Sequence, residues 1–454
     1  MLWTNSRIHF HFIGAIQSTP LKAFDITMHI FRLLVLLGFW FVSLDKARAE
    51  DWSQFRGSTG LGYTAETALP VTWGGPDQSN VVWKSPLVGE GHASPIVSGD
   101  RLFVCTAHWP ESVTDRKQVI PEHHVLCYSI ADGKSLWDVK IEPGPWRRDD
   151  FRSGPGGGYA APTPATDGKH VFVVFGSSVI AALDFQGKIA WRNEIKPHNF
   201  DVTVGSSPIL FEDTVLMLCA MTERKDSKLI AYNKADGTIR REIPLPQAGF
   251  AHSTPLRIDV AGKPQVIIAA AGGGESDGGV QSIDPRNGDK LWWCRGVGEA
   301  SSPAYGAGIV YCDNGRGGPG LAIDPTGTGD VSKSHVKWRI GTIPEAIGSP
   351  TIVGNRVYRL HTPNILKCWD AENGNQIYAQ RLDKLTSSWA SPIADGAGRL
   401  FFASAGVSYV IQSGDEFKIL AINDLGDPNH ASPAVANGKL FLVGTHSVFC
   451  IGSK

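Results

Sequence analysis

The sequence predicts an all-β fold, an eight-bladed β-propeller of four-stranded antiparallel blades, closed by an N-terminal strand that completes the last blade. Three observations carry the prediction. A Ser-Pro or Thr-Pro pair recurs before an apolar strand, at Pro95, Pro164, Pro208, Pro255, Pro303, Pro350, Pro392 and Pro433, spaced by 69, 44, 47, 48, 47, 42 and 41 residues. Gly and Pro, at 51 and 28 of 454 residues, make up about 17% of the chain, against a usual ~12%, as many tight turns require. The last repeat stops at Cys450-Ile451, one strand short, while a lone strand-like segment, Val81–Lys84, precedes the first repeat.

Composition excludes other classes. Lys+Arg and Asp+Glu number 43 and 44, a formal charge of −1, which argues against nucleic-acid or polybasic membrane binding. A hydrophobic content of 42% is too high for disorder, and four Met with no long charge run argue against a helical bundle or coiled coil.

Taken in chain order, the first element is a targeting segment. Leu33–Leu44 is an apolar run of 12, preceded by Arg32 and followed by the small-x-small site Ala47-Arg48-Ala49. This reads as a secretory signal peptide over residues 1–49, with Met28 as an alternative true start; an uncleaved membrane anchor is the other reading. No Cys follows the run, which argues against lipid anchoring there. Cleavage after Ala49 leaves 405 residues with a net charge of −4. Residues 50–80 then form an N-terminal strap, and 81–454 the propeller.

Within the propeller, SPIVSGDRLFVCTA, TPATDGKHVFVVFG, SPTIVGNRVYRLH and SPAVANGKLFLVG share one template of strand, two-residue turn and strand. A third strand follows, then a turn and a fourth strand carrying an aromatic, as in YSIADGKSLW, ALDFQGKIAW and SIDPRNGDKLW. Trp137, Trp191, Trp292, Trp338 and Tyr378 hold the aromatic position, and Trp83 holds it in the lone segment. The third blade has Arg241 there, and the seventh is degenerate around Phe417. One such sheet cannot bury both faces; arranged radially, each packs on its neighbours, with the Trp as a plug between sheets. Pairing of Val81–Lys84 with the strand around Val448–Ile451 leaves no open seam.

The same arithmetic maps a face. The loop before strand one and the loop between strands two and three open on one side of a blade. Three residues before each repeat Pro stand His92, Ala161, Gly205, His252, Ala300, Ile347, Trp389 and His430, which should ring the mouth of a central channel. His430, His92 and Trp389 belong to consecutive blades; His252 lies across the ring. They are either scattered mouth residues or a site for a small polar or aromatic ligand. The histidines come from different blades without a visible carboxylate, so no metal is expected. Two insertions lengthen blade one, at about Ala107–His123 and Glu142–Ala160. They carry Trp109 and the run Trp146-Arg147-Arg148-Asp149-Asp150-Phe151-Arg152. Mixed Arg and aromatics suit recognition, and Trp109, Trp146 and Phe151 are expected to be exposed.

All seven Cys lie beyond residue 49. Buried small hydrophobes account for most; Cys105 and Cys127, on neighbouring strands, could form a disulfide. There is no C-x-x-C. The Gly315–Gly320 match to G-x-G-x-x-G is followed by a strand rather than a helix, so it reads as an inter-strand loop, not a pyrophosphate cradle. Gly272–Gly279 is the same feature one blade earlier; its Glu275 and Asp277 could bind a cation or simply be solvated. No G-x-S-x-G or H-E-x-x-H occurs.

The segments Ala182–Trp191 and Tyr128–Trp137 resemble, with small departures, the A-x-D-x-x-x-G-K-x-x-W repeat of the pyrroloquinoline-quinone (PQQ)-like β-propeller family. Trp52-Ser53-Gln54-Phe55-Arg56-Gly57 resembles the W-x-x-F-R-G opening of secreted, planctomycete-type members, as does Gly327–Val331 in the fifth blade. The resemblance covers about residues 50–452. It implies either a quinone-dependent alcohol or sugar dehydrogenase or a non-catalytic scaffold of the outer-membrane assembly-factor (BamB) type. The dehydrogenases cover the quinone with a vicinal Cys-Cys disulfide and polarise it with Ca²⁺. No vicinal Cys pair exists here, and no calcium ligand carries over.

The expectation is therefore a non-catalytic binding or scaffold protein of the cell envelope, extracytoplasmic after signal cleavage and with no remaining membrane span. Its partner would be an envelope protein or a small polar ligand, not nucleic acid, with no cofactor or metal. The alternatives are a PQQ- and calcium-dependent oxidoreductase and a carbohydrate-binding propeller.

Overall fold

A computed structural model of the chain describes residues 51–147, 158–196, 204–270, 279–387 and 389–453. The expected leader, together with Arg148, Phe151, Arg152, Glu275 and Asp277, lies outside the described residues. Eight antiparallel sheets follow one another along the chain. Blade 1 is Ile96–Ser98, Arg101–His108, Glu122–Ser129 and Ser135–Ile141. Blades 2 to 7 repeat this order, ending with Ile393–Ala394, Arg399–Phe402, Ser408–Gln412 and Lys418–Asn423. The described residues contain no α-helix, only the 3-10 turn Arg224–Asp226.

Blade 8 closes the ring as expected. Val81–Pro86 pairs antiparallel with Ser447–Ile451, placing Val81 opposite Ile451, Trp83 opposite Cys450 and Lys84 opposite Phe449. One apolar cluster runs from this strand through blades 7, 8 and 1, including Trp83, Phe401, Phe441, Phe449, Leu102 and Val104. The seam is thus a packed core and not a sheet edge.

The repeat consensus is a clasp between blades. In four blades the fourth-strand Trp donates its indole N–H to the turn of the next blade. Trp83 reaches Ile130 O at 3.0 Å, Trp137 Phe185 O at 2.9 Å, Trp191 Lys234 O at 2.9 Å and Trp338 Ala371 O at 2.8 Å. The turn glycine lies on the ring: a Cβ at Gly133, Gly237 or Gly374 would come within 2.7 Å of Trp83, Trp191 or Trp338. These glycines also have φ of 71°, 72° and 76°, which other residues rarely adopt. In blade 3 the guanidinium of Arg241 donates to Arg286 O in the same way. Tyr378 of blade 6 packs edge-on against Phe417, 5.7 Å away.

Two details differ from the sequence expectation. In blade 7 the position facing Val410 is Ala421, not Phe417. The strap fills that space: Trp73 lies in the cluster joining blades 7 and 8 and stacks on Phe401 at 6.5 Å. In blade 4, Trp292 is fully buried and donates to Gln265 Oε1. Gly329–Asp330, from the fifth blade's repeat, adds a parallel fifth strand against Trp292 and Trp293.

One alternative falls away and one expectation is corrected. Cys105 faces Val125 and Cys127 faces Phe103, a register two residues apart, so the pair does not sit opposite. All seven cysteines are free and buried. Arg316–Ile323 is one continuous strand paired with Val336–Glu345. The Gly315–Gly320 motif is therefore mostly strand, where Gly317 and Gly318 take φ of 92° and 118° and a Cβ at Gly320 would crowd the Tyr311 hydroxyl at 2.5 Å.

Candidate functional site at the channel mouth

The site begins with the Ser or Thr that precedes each repeat Pro. Its backbone N–H donates to the hydroxyl of the equivalent residue in the next blade, all the way round. Ser94 donates to Thr163 (3.1 Å), Thr163 to Ser207 (2.9 Å), Ser207 to Thr254 (3.0 Å) and Thr254 to Ser302 (2.9 Å). Ser302 then donates to Ser349 (3.2 Å), Ser349 to Ser391 (2.9 Å), Ser391 to Ser432 (2.9 Å) and Ser432 back to Ser94 (3.0 Å). The result is a closed girdle of eight buried hydrogen bonds. It explains why the repeat demands a small hydroxyl there: Pro supplies no N–H of its own, and the residue before it would otherwise be an orphan donor at the axis.

Above the girdle lies a cavity of about 280 Å³. All eight expected mouth residues line it: His92, Ala161, Gly205, His252, Ala300, Ile347, Trp389 and His430. So do all eight girdle residues, with Phe55 of the strap and Arg316 of blade 5. Beside Phe55, the buried Arg56 guanidinium donates to Pro303 O at 3.1 Å and Pro350 O at 2.6 Å, tying the strap to the axis. Burial, then the nearby Arg359, lower its pKa to about 9.

The ring is lopsided. Blades 2, 3 and 5 contribute Ala161, Gly205 and Ala300. His252 leans on Gly205, where a Cβ would lie 2.1 Å from its Nδ1. Blades 6, 7, 8 and 1 contribute Ile347, Trp389, His430 and His92. Trp389 stacks on His430 at 4.7 Å, and His92 meets His430 edge-on at 5.0 Å. The three residues that sequence spacing placed in one sector therefore touch, with His252 apart from them.

Hydrogen bonding fixes the two imidazoles. Asn429 Nδ2 donates to Gly91 O and Gly444 O, so its Oδ1 is the acceptor for His92 Nδ1 at 2.9 Å. His92 thus carries its proton on Nδ1 and, as the neutral ring, offers Nε2 as an acceptor. Ser387 Oγ accepts the backbone N–H of Trp389 and Ala390, which leaves its proton for His430 Nδ1, 2.9 Å away. His430 therefore offers Nε2–H as a donor. Burial, with the neighbouring His92, lowers the His430 pKa to about 4, so this ring is neutral near pH 7.

The two insertions meet beside this wall. Arg147 donates to Lys117 O at 2.7 Å and Gln118 Oε1 at 3.1 Å. His92 and Ala93 both donate to Ala160 O, and Arg116 pairs with Glu90 at 3.1 Å. The first insertion is shorter than expected, since strands run through His108 and from Glu122. Trp109 is buried, not exposed: its ring lies edge-on to Tyr159 and its indole donates to Val119 O. Trp146 is half-buried.

The lining offers little for a quinone cofactor. Arg316 is the one charged residue among the cavity's lining residues, and its Nε already pairs with Glu299 at 2.9 Å. Among the described residues no carboxylate lines the cavity. Among the described residues no cluster of three or more His, Cys, Asp or Glu could hold a metal ion. This donor set does not fit a tricarboxylic quinone with its hard cation, which needs several oxygen ligands.

Comparison with known proteins agrees with the fold. The family model described as outer membrane protein assembly factor BamB matches in two overlapping stretches, residues 121–292 and 227–413. No curated protein sequence matches the chain significantly. Among solved structures, BamB from Moraxella catarrhalis is similar at a TM-score of 0.58 and 13% identity, covering 82% of this chain and 97% of that one. The quinohemoprotein alcohol dehydrogenase from Comamonas testosteroni is similar at 0.60 and 13%, covering 91% and 82%. The Dos1 propeller is similar at 0.58 and 12%, covering 83% and 97%.

Proposed function

The chain belongs to the PQQ-like β-propeller family of the BamB type, and on that premise we propose that it is an extracytoplasmic, non-catalytic binding or scaffold protein. Its recognition face is the one carrying the channel mouth and the two blade-1 insertions. One observation carries the reading. The insertions brace each other through Arg147 and the 117–118 carbonyl and amide, and they brace the mouth through Ala160 and His92. They enlarge one face around a preformed cavity, an arrangement suited to recognition. The cavity lining, with one guanidinium already paired and no carboxylate, supports binding over quinone chemistry. Among the described residues no helix is long and apolar enough to cross a membrane.

The test pairs two measurements on the chain from residue 50. Titration with PQQ and Ca²⁺ should give no saturable thermal shift and no dye-linked oxidation of alcohols or sugars. Capture of a specific envelope protein should be lost when residues 110–120 are shortened to a tight turn. A Ca²⁺-dependent shift with PQQ, or capture indifferent to the loop, would overturn the proposal.

A further inference from the structure

The mouth cavity presents a combination that the scaffold reading does not require. One wall is the half-exposed Trp389 ring, backed by His430. Beside it, His430 Nε2–H is a donor and His92 Nε2 an acceptor, because their Nδ1 atoms are committed to Ser387 and Asn429. The floor is the girdle. Each hydroxyl there accepts a backbone N–H on one lone pair, which leaves its proton and second lone pair for the cavity side. The His430 ring is neutral near pH 7, and the charge of Arg316 is balanced by Glu299.

Donor and acceptor side by side match a group that donates and accepts at once, as an alcohol hydroxyl does. A flat indole beside them suits the apolar C–H face of a sugar ring, one surface of an otherwise polar molecule. The volume of about 280 Å³ lies just under the ~300–1,000 Å³ of drug-sized ligand sites, which points to one ring and not a chain. Across the ring Ala161 and Ala300 are small, and His252, which fills the space over Gly205, adds a second imidazole to the lining.

We propose that the channel mouth binds a single neutral pyranose, its apolar face on Trp389 and adjacent hydroxyls bridging His92 and His430, with further contacts to the hydroxyl girdle. This rests on the reading of this face as a recognition site and names its small ligand. A charged sugar is disfavoured because, among the described residues, the one guanidinium in the lining is already paired.

The experiment is ligand-observed NMR with calorimetry on the chain from residue 50, using glucose, galactose, mannose, N-acetylglucosamine and glucuronate as probes. The expected result is saturable binding of at least one neutral sugar and at least tenfold weaker binding of glucuronate. Trp389→Ala should weaken the neutral sugar at least tenfold. His430→Phe, which keeps a ring and removes the donor, should weaken it several-fold while the chain still unfolds in one cooperative transition. That second variant decides the matter if Trp389→Ala does not fold. Absence of saturable binding by every neutral sugar, preference for glucuronate, or affinity unmoved by His430→Phe would overturn the inference. Sugar binding without partner capture would sink the scaffold reading alone, and capture without sugar binding this inference alone.

Discussion

Removing one hydroxyl from the girdle should open the ring at a single, known place. Ser391→Ala deletes the acceptor of the Ser349 N–H, a 2.9 Å bond between blades 6 and 7. Ser349 is 4% exposed and Ser391 3%, so no bulk water replaces the acceptor. An orphaned buried donor costs about 1–3 kcal/mol, and 1.4 kcal/mol is tenfold in an opening equilibrium. The Ser349 amide should then exchange with solvent roughly 5- to 150-fold faster, read by hydrogen–deuterium exchange on the peptide that contains it. Ser391→Thr keeps the oxygen and should leave exchange within about twofold, as Thr163 and Thr254 already serve in the same role. Ser135→Ala, on an exposed fourth strand, should shift stability by less than ~0.5 kcal/mol. If Ser391→Ala leaves Ser349 as protected as the parent, the girdle is geometry without energetic consequence, and the account of the Ser/Thr-Pro repeat fails.

Other outcomes follow from the same structure. Deleting residues 50–84 should lower the melting temperature far more than deleting 1–49, because it strips Val81–Lys84, four of the six residues of the closing strand, from blade 8 and the buried Trp83 and Trp73 with it; equal melting points would refute closure. Gly237→Ala, at φ 72° and with a Cβ 2.6 Å from Trp191, should destabilise by about 1–3 kcal/mol by urea unfolding. His123 is buried against Phe175 at 4.5 Å, and burial lowers its pKa to about 3. The unfolded chain, at about 6.5, therefore takes up a proton that the fold refuses. Stability should be flat above pH 6.5 and fall by on the order of 4 kcal/mol between there and pH 3. His123→Phe should flatten that acid limb, and an unchanged pH profile would remove His123 as its cause.

The architecture was legible because a 45-residue repeat leaves few solutions, and the mouth positions because they follow from counting back three residues from each Pro. What the sequence hid were non-local matters. The Ser or Thr before each Pro was visible eight times, but its partner lies one blade away, so its role needed the ring closed in space. Trp109 looked like an exposed loop aromatic; the loop instead folds over it, with Arg116 above the ring at 5.4 Å and Tyr159 from the second insertion beside it. Cys105 and Cys127 sit on paired strands, but strand register, unreadable from spacing alone, offsets them by two residues. The parallel strand at Gly329–Asp330 joins a blade other than its own, which no local pattern announces.

The girdle and the mouth divide the work of the repeat. The position before Pro must keep a small hydroxyl in every blade, since each hydroxyl caps its neighbour's N–H. The position two residues earlier takes part in no such circuit and is free to differ, and it does: Ala, Gly, His and Ala in blades 2 to 5, and Ile, Trp, His and His in blades 6, 7, 8 and 1. Eightfold constraint therefore supplies rigidity at the axis, and broken symmetry supplies specificity just above it. A ligand resting on the girdle would meet hydroxyls from several blades and so would oppose their separation. Binding at 100 times its Kd should raise stability by about 2.7 kcal/mol, and that gain should appear as one cooperative shift of the whole propeller. A ligand that stabilised only blades 6 to 8 would instead be sitting on the outer wall.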